Sequence, residues 1–193
     1  YTGNTNFENM LVSSLNKIMN KDTMLKRGAV NNIPVAYNPV KQRAESTNQD
    51  KMFKEALKLV LKHEGSRLVK EDGGKESSKY GIIESTARYY GYKGDIKNIM
   101  RADAEAIYKK IWEQSGAKSL SYPLAMVHFD TYVNNPAMAR KLLKQSDGNI
   151  DNYLQLRLQR YTRLAQARPE RYAKYLKGWT NRVNSLKALV SDY

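Results

Sequence analysis

The stretch His63-Glu64-Gly65-Ser66-Arg67, followed by Asp72-Gly73-Gly74 and then Ser78-Lys79-Tyr80-Gly81-Ile82, interrupts a chain that otherwise reads as helix after helix. Just upstream, Met52, Phe53, Ala56, Leu57, Val60 and Leu61 form a helical stripe that ends near His63. Glu64 therefore sits where a helix stops, and Gly65 at once frees the backbone. A carboxyl so placed is held by a rigid element while it faces a loop-lined cleft. Burial against apolar neighbours favours the protonated form, the state a general acid needs. Eight residues on, Asp72 offers a second carboxylate on a loop, beside two glycines that let a substrate approach closely. The hydroxyl of Ser78 is suited to orienting a water. Two carboxyls in unlike environments are what cleavage of a glycosidic bond requires.

Working outward, residues 64–100 read as irregular, with room for a short β-hairpin and one short helix around 83–90. Ala104, Ile107, Tyr108, Ile111 and Trp112 mark the next strong helix. Leu124, Val127, His128 and Thr131 suggest another, ended by Asn134-Asn135-Pro136, and Pro136 suits the first turn of the helix that follows. Asp151 is placed to cap a long helix through about Ala167, with Leu154, Leu158, Tyr161 and Leu164 inward. Trp179, Val183, Leu186 and Val190 close the chain as a final helix. The expected class is mostly α, with a small irregular or β-hairpin lobe carrying the candidate site.

Residues 1–50 differ from residues 51–193, the main domain. They hold nine Asn, and six basic residues against four acidic ones leave only +2. Thr5-Asn6-Phe7-Glu8 has the form of a capping box, and Phe7, Met10, Leu11, Leu15, Ile18 and Met19 give one amphipathic helix at about 6–20. From Gly28 to Asp50 the composition predicts an extended linker. A lone amphipathic helix cannot bury its own stripe, so this segment reads as an arm that docks on the main domain or on another protein.

The 193 residues include no cysteine, which excludes a disulfide scaffold, a thiol nucleophile and any cysteine zinc site. With two His besides, neither a metal nor another cofactor is expected. No stretch nears the ~18 consecutive apolar residues of a membrane span. Lys and Arg number 33 against 19 Asp and Glu, a net charge of +14 that calls for an anionic partner. The basic residues are scattered, and no nucleic-acid-binding signature is present, so no specific nucleic acid is expected.

The catalytic stretch resembles that of glycoside hydrolase family 108, N-acetylmuramidases of bacteria and phages with a lysozyme-like α fold. That family shows E-G-G-Y, then D-x-G-G, then T-x-x-G-I. The likeness continues in Ile107-Tyr108 with Trp112, in Phe129-Asp130 with Val133-Asn134, and in Tyr175-Leu176-Lys177-Gly178-Trp179-Thr180-Asn181-Arg182-Val183. This chain departs from the pattern at Ser66 and Arg67, in a shortened Glu71-Asp72 before Gly73-Gly74, in two extra residues before the third motif, and in Ser78 for Thr. Glu71 is thus the rival to Asp72 as second carboxylate, and Glu76 a weaker one.

The resemblance implies a hydrolase of the β-1,4 bond between N-acetylmuramic acid and N-acetylglucosamine, with Glu64, Asp72 and Ser78 as catalytic residues. It implies substrate contacts from Asp130 and Asn134, with Tyr80 and Tyr132 as stacking candidates. Peptidoglycan strands are the expected partner, with other virion proteins meeting residues 1–50. The expected place is a phage virion, or delivery to the periplasm and cell wall. Carboxyls ~6.5–9.5 Å apart would invert the sugar and ~5–5.5 Å would retain it. A lytic transglycosylase, which needs no second carboxylate, and a non-catalytic wall-binding or structural virion protein of the same fold are the alternatives. His128, on an apolar helix face, is expected to be a satisfied core residue.

Overall fold

The computed structural model describes residues 39–72 and 76–191, with the backbone alone described for 39–46, 71 and 72. The helix expected at 6–20, the linker up to 38 and Gly73-Gly74 lie outside the described residues. In chain order the elements are α1 (Pro39–Glu64), β1 (Val69–Asp72), β2 (Glu76–Lys79), β3 (Ile82–Ile83), α2 (Glu84–Tyr89), α3 (Arg101–Ser115), α4 (Tyr122–Asn134), α5 (Pro136–Ser146), α6 (Ile150–Ala167) and α7 (Pro169–Val190). Two 3-10 turns, Ile96–Asn98 and Ala117–Ser119, complete them. The molecule is mostly helical with one small antiparallel sheet, as a lysozyme-like fold requires.

Helix α1 buries Met52, Phe53, Ala56, Leu57 and Val60 on one face. It ends at Gly65, whose φ of 72° takes the chain out of the helix while its N–H donates to the Leu61 carbonyl at 2.9 Å. The sheet follows in the order β1-β2-β3, with Val69 opposite Ser78 and Ser78 opposite Ile83. Between β2 and β3 lie only Tyr80 and Gly81, both at positive φ (55° and 73°), which a two-residue hairpin turn of the primed kind needs.

Two apolar clusters share the interior. One joins α1, β3, α2, α3 and α4, with Phe53, Trp112 and Phe129 in mutual ring contact at 5.1–6.4 Å. The other joins α4, α5, α6 and α7 around Leu124, Tyr153, Tyr161, Trp179 and Leu186. Helix α4 belongs to both, and every residue from Leu124 to Asn134 is buried.

Two local expectations are corrected. Helix α1 starts at Pro39, so residues 39–50 are helical instead of extended, and the chain passes residue 50 without a linker. Lys41 to Glu45 are good helix formers, and a helix anchored by the Met52–Val60 stripe extends backwards through them cheaply. Asn149, not Asp151, caps α6, accepting from the Asn152 N–H at 2.8 Å. The expected final helix is present as α7, and it reaches back ten residues before Trp179 with Pro169 in its first turn.

Candidate active site

Glu64 closes α1, and its side chain is fully buried, the whole residue being 4% exposed. Its Oε1 accepts from Arg182 Nη1 of α7 at 3.1 Å. Gly81 presses on it from the hairpin turn: a Cβ built at 81 would stand 2.7 Å from Cβ and Cγ of Glu64 and 3.0 Å from Oε2. Only glycine fits there, since a side chain would also meet the strain of positive φ. The turn is pinned from behind, where the Tyr108 hydroxyl of α3 donates to the Tyr80 carbonyl at 2.8 Å. Burial, and next the nearby charge of Glu64, push the Tyr108 hydroxyl well above the usual tyrosine range, so it stays a donor. The motif glycine and the end of α1 are thus one unit although 17 residues separate Gly81 from Glu64 in sequence.

Arg182 does not serve Glu64 alone. Its Nη2 and Nε donate to Asp130 at 2.9–3.2 Å, and Arg157 Nη1 donates to the other side of Asp130 at 2.7 Å. Arg157 continues to Thr131 Oγ1 at 2.9 Å and to the Tyr161 hydroxyl at 3.0 Å. Four helices, α1, α4, α6 and α7, are therefore tied by two carboxyl groups and two guanidiniums. Burial pushes the Asp130 carboxyl up, but Arg182 and Arg157 outweigh it and hold the group well below the usual carboxylate range.

The structure places the other candidates as follows. Asp130 is 0% exposed and spent on two arginines, so it does not face a cleft as expected; it is an anchor. Asn134 is also buried and donates to the Asp130 carbonyl one turn back at 2.8 Å, which removes it from substrate contact. Tyr132 is buried in the core and accepts from Arg140 at 2.9 Å, so its ring faces are taken. All three failures have one cause. Helix α4 is central, and the i, i+4 spacing that suggested a polar cleft face points inward instead. Tyr80 is half-buried on the turn beside Gly81, and Ser78 is fully buried on β2, opposite Ile83 of β3.

Asp72 and Glu71 end β1, with Asp72 paired in register to Glu76; their side chains lie outside the described residues. Glu76 is engaged elsewhere, accepting from Ser85 Oγ at 2.8 Å. His128 behaves as a core residue, with Nε2 3.0 Å from the Ser115 carbonyl and Nδ1 3.2 Å from the Tyr153 hydroxyl. Among the described residues no three His, Asp or Glu side chains cluster as metal ligands. A hollow of about 650 Å³ lined by Lys51, Met52, Glu55, Leu120 and Tyr122 lies beside the middle of α1, away from Glu64.

Arg157 and the role of Arg182 are what sequence reasoning missed. The signal was present: Arg157 falls in phase with Leu154 and Tyr161 on the inward stripe of α6, and Asp130 interrupts an otherwise apolar helix. Charges in such positions are buried and paired.

Residues 57–135 match the family model described as Glycosyl hydrolase 108, a span that holds Glu64, Asp72, Ser78, Tyr80, Gly81 and Asp130 but neither Arg157 nor Arg182. No curated protein and no solved structure matches the chain. No helix among the described residues is long and apolar enough to cross a membrane.

Proposed function

We propose that this glycoside hydrolase, whose residues 57–135 match the glycosyl hydrolase 108 family, is an N-acetylmuramidase acting on peptidoglycan, a reading that the family match supports. It cleaves the β-1,4 bond between N-acetylmuramic acid and N-acetylglucosamine. The observation that carries the reading is the setting of Glu64: a rigid helix end, a guanidinium at 3.1 Å, and a glycine turn packed on its methylenes.

In this mechanism Glu64 gives its proton to the leaving glycosidic oxygen as the bond to the muramic acid C1 breaks. Arg182 then stabilises the carboxylate left behind, and so favours donation. Asp130 and Arg157 hold Arg182 at its post throughout. Because the carboxyl is covered by the Tyr80–Gly81 turn, substrate entry requires that turn to yield, and Gly81 has no side chain to obstruct it. Asp72, at the mouth of the β1–β2 hairpin, serves as the second carboxylate, guiding a water or stabilising the oxocarbenium-like transition state. Ser78, buried on β2, orients the hairpin. We assign the enzyme to a phage, acting from the virion or as a delivered lysin on the wall, with residues 1–50 as its attachment arm.

Mass spectrometry of digested muropeptides tests the bond. New reducing N-acetylmuramic acid ends are expected. Anhydro ends would identify a lytic transglycosylase, and reducing N-acetylglucosamine ends a glucosaminidase. Glu64→Gln should keep the fold and lose ~10²–10⁴-fold in rate, since an amide has no proton to donate. A parent that releases no new ends would overturn the muramidase reading, and full product from the variant would remove Glu64 from the role.

A further inference from the structure

The corner between α6 and α7 has an unusual composition for its place in the fold. From residue 166 to residue 178 no residue is fully buried, and Tyr172, Tyr175 and Leu176 reach inward to pack against the cluster around Trp179 while the charged side chains face outward. Five exposed cations lie on or beside it, Arg163, Arg168, Arg171, Lys174 and Lys177, against one acid, Glu170. Among the described residues, none of the five is tied up in an ion pair with a carboxylate, whereas the exposed Arg88, Lys97 and Arg101 each have one. Two half-buried tyrosines sit among them, with Arg171 5.2 Å above the Tyr172 ring and Lys174 4.9 Å above that of Tyr175. The five exposed cations themselves add nothing to the core. Self-repulsion there is a cost that a bound anion would relieve.

The corner is also joined directly to the site. Lys177 and Arg171 precede Arg182 on the same helix by about 7.5 and 16.5 Å of axial rise, and Arg171 lies within about 20° of the Arg182 face. The glycan of peptidoglycan is itself uncharged where the muramic lactyl group is amidated. Its anionic groups are the carboxylates of the stem peptides, which branch from the same muramic acid whose bond is cut. A stem of about four or five residues, extended, reaches roughly 14–18 Å from the sugar. That is the span from Arg182 to Arg171.

We infer that the α6–α7 corner is a docking surface for the stem-peptide carboxylates of peptidoglycan, with Arg171 and Lys174 as its centre. The inference rests on the muramidase reading above and adds to it: the enzyme selects peptide-bearing strands over bare glycan. The corner acts through charge, so its contribution weakens as salt shortens the ~10 Å screening length of 0.1 M solution.

The test compares the full chain on immobilised glycan strands carrying stem peptides with the same strands stripped by an amidase. The parent is expected to bind the peptide-bearing strands about threefold to tenfold more tightly at low salt, the size of a few exposed charge contacts. Arg171→Glu with Lys174→Glu should erase that preference, and the paired alanine variant should reduce it; far-UV spectra and melting confirm that these exposed sites leave the fold intact. Equal binding of the parent to both strands, or a full preference in the double Glu variant, overturns the inference. So does retention on whole walls that follows wall phosphodiester polymer, lost on hydrofluoric acid treatment and kept after amidase treatment. Product ends are read on the same strands. Peptide-dependent binding without any cleavage would overturn the muramidase reading and leave this one standing, and cleavage without peptide preference would do the reverse.

Discussion

Gly81 lies against Glu64 so closely that a methyl group at position 81 would stand 2.7 Å from two carbons of the glutamate side chain. A turn glycine thereby sets the position of a carboxyl from another element. Gly81→Ala combines this clash with a positive φ, whose strain alone costs ~1–2 kcal/mol for a residue with Cβ. The melting temperature should fall by about 2–8 °C, and turnover on peptidoglycan should drop by more than ~10-fold as Glu64 is displaced. Parent-like turnover in a variant that melts normally would show that the turn is not coupled to Glu64.

Asp72 and Glu71 are neighbours with equal charge, so they control for one another. Asp72→Asn is expected to cut kcat severely with little change in wall binding, because its benefit arises in the transition state. Glu71→Gln should be mild. If the effects are reversed, the shortened motif is read one residue out of register. If both variants stay active while Glu64→Gln is dead, a single-carboxylate transglycosylase replaces the hydrolase.

The Asp130 network makes the fold acid-sensitive in a defined window. The folded-state pKa of Asp130 lies below that of the unfolded chain, so the unfolded state binds more protons as pH falls. Its stabilisation is complete above the ordinary aspartate value of 3.8 and is lost progressively below it. Urea melts of the parent should therefore weaken steeply below about pH 4, and Asp130→Asn should flatten that slope while lowering stability at pH 7. Arg182→Leu should cost ~3–5 kcal/mol, since it strips the buried Asp130 carboxylate of one of its two guanidiniums. An Asp130→Asn protein with the parent's acid slope would place the titrating group elsewhere.

His128 contributes at higher pH. Burial lowers its pKa, only partly opposed by the hydrogen bond to the Ser115 carbonyl, and Arg140 lowers it further. The imidazole is neutral when folded and must charge on unfolding in acid, so its contribution is full above the unfolded value of 6.5 and declines below it. Chemical-shift titration of the His128 ring should show a midpoint under 6.5. A midpoint above that value would mean that the ring is charged in the core.

The α1 stripe, the hairpin lobe and the succession of later helices could be read from the sequence because each follows local periodicity and turn chemistry. Pro136 and Gly65 mark their boundaries where the chain cannot continue otherwise. Glu64 could be picked out for the same reason, as a carboxyl at a helix end before a glycine. What local pattern cannot give is which polar residues share the interior. Asp130 and Asn134 have the spacing of a polar face, yet α4 is enclosed on all sides, and Arg157 and Arg182 reach it from helices 27 and 52 residues further along. Their pairing is a property of how four helices pack, because a buried charge is tolerated only where the fold brings its opposite within hydrogen-bond distance. The same holds for Gly81 and Glu64: the sequence supplies a glycine and a carboxylate 17 residues apart, and the tertiary fold alone brings them into contact.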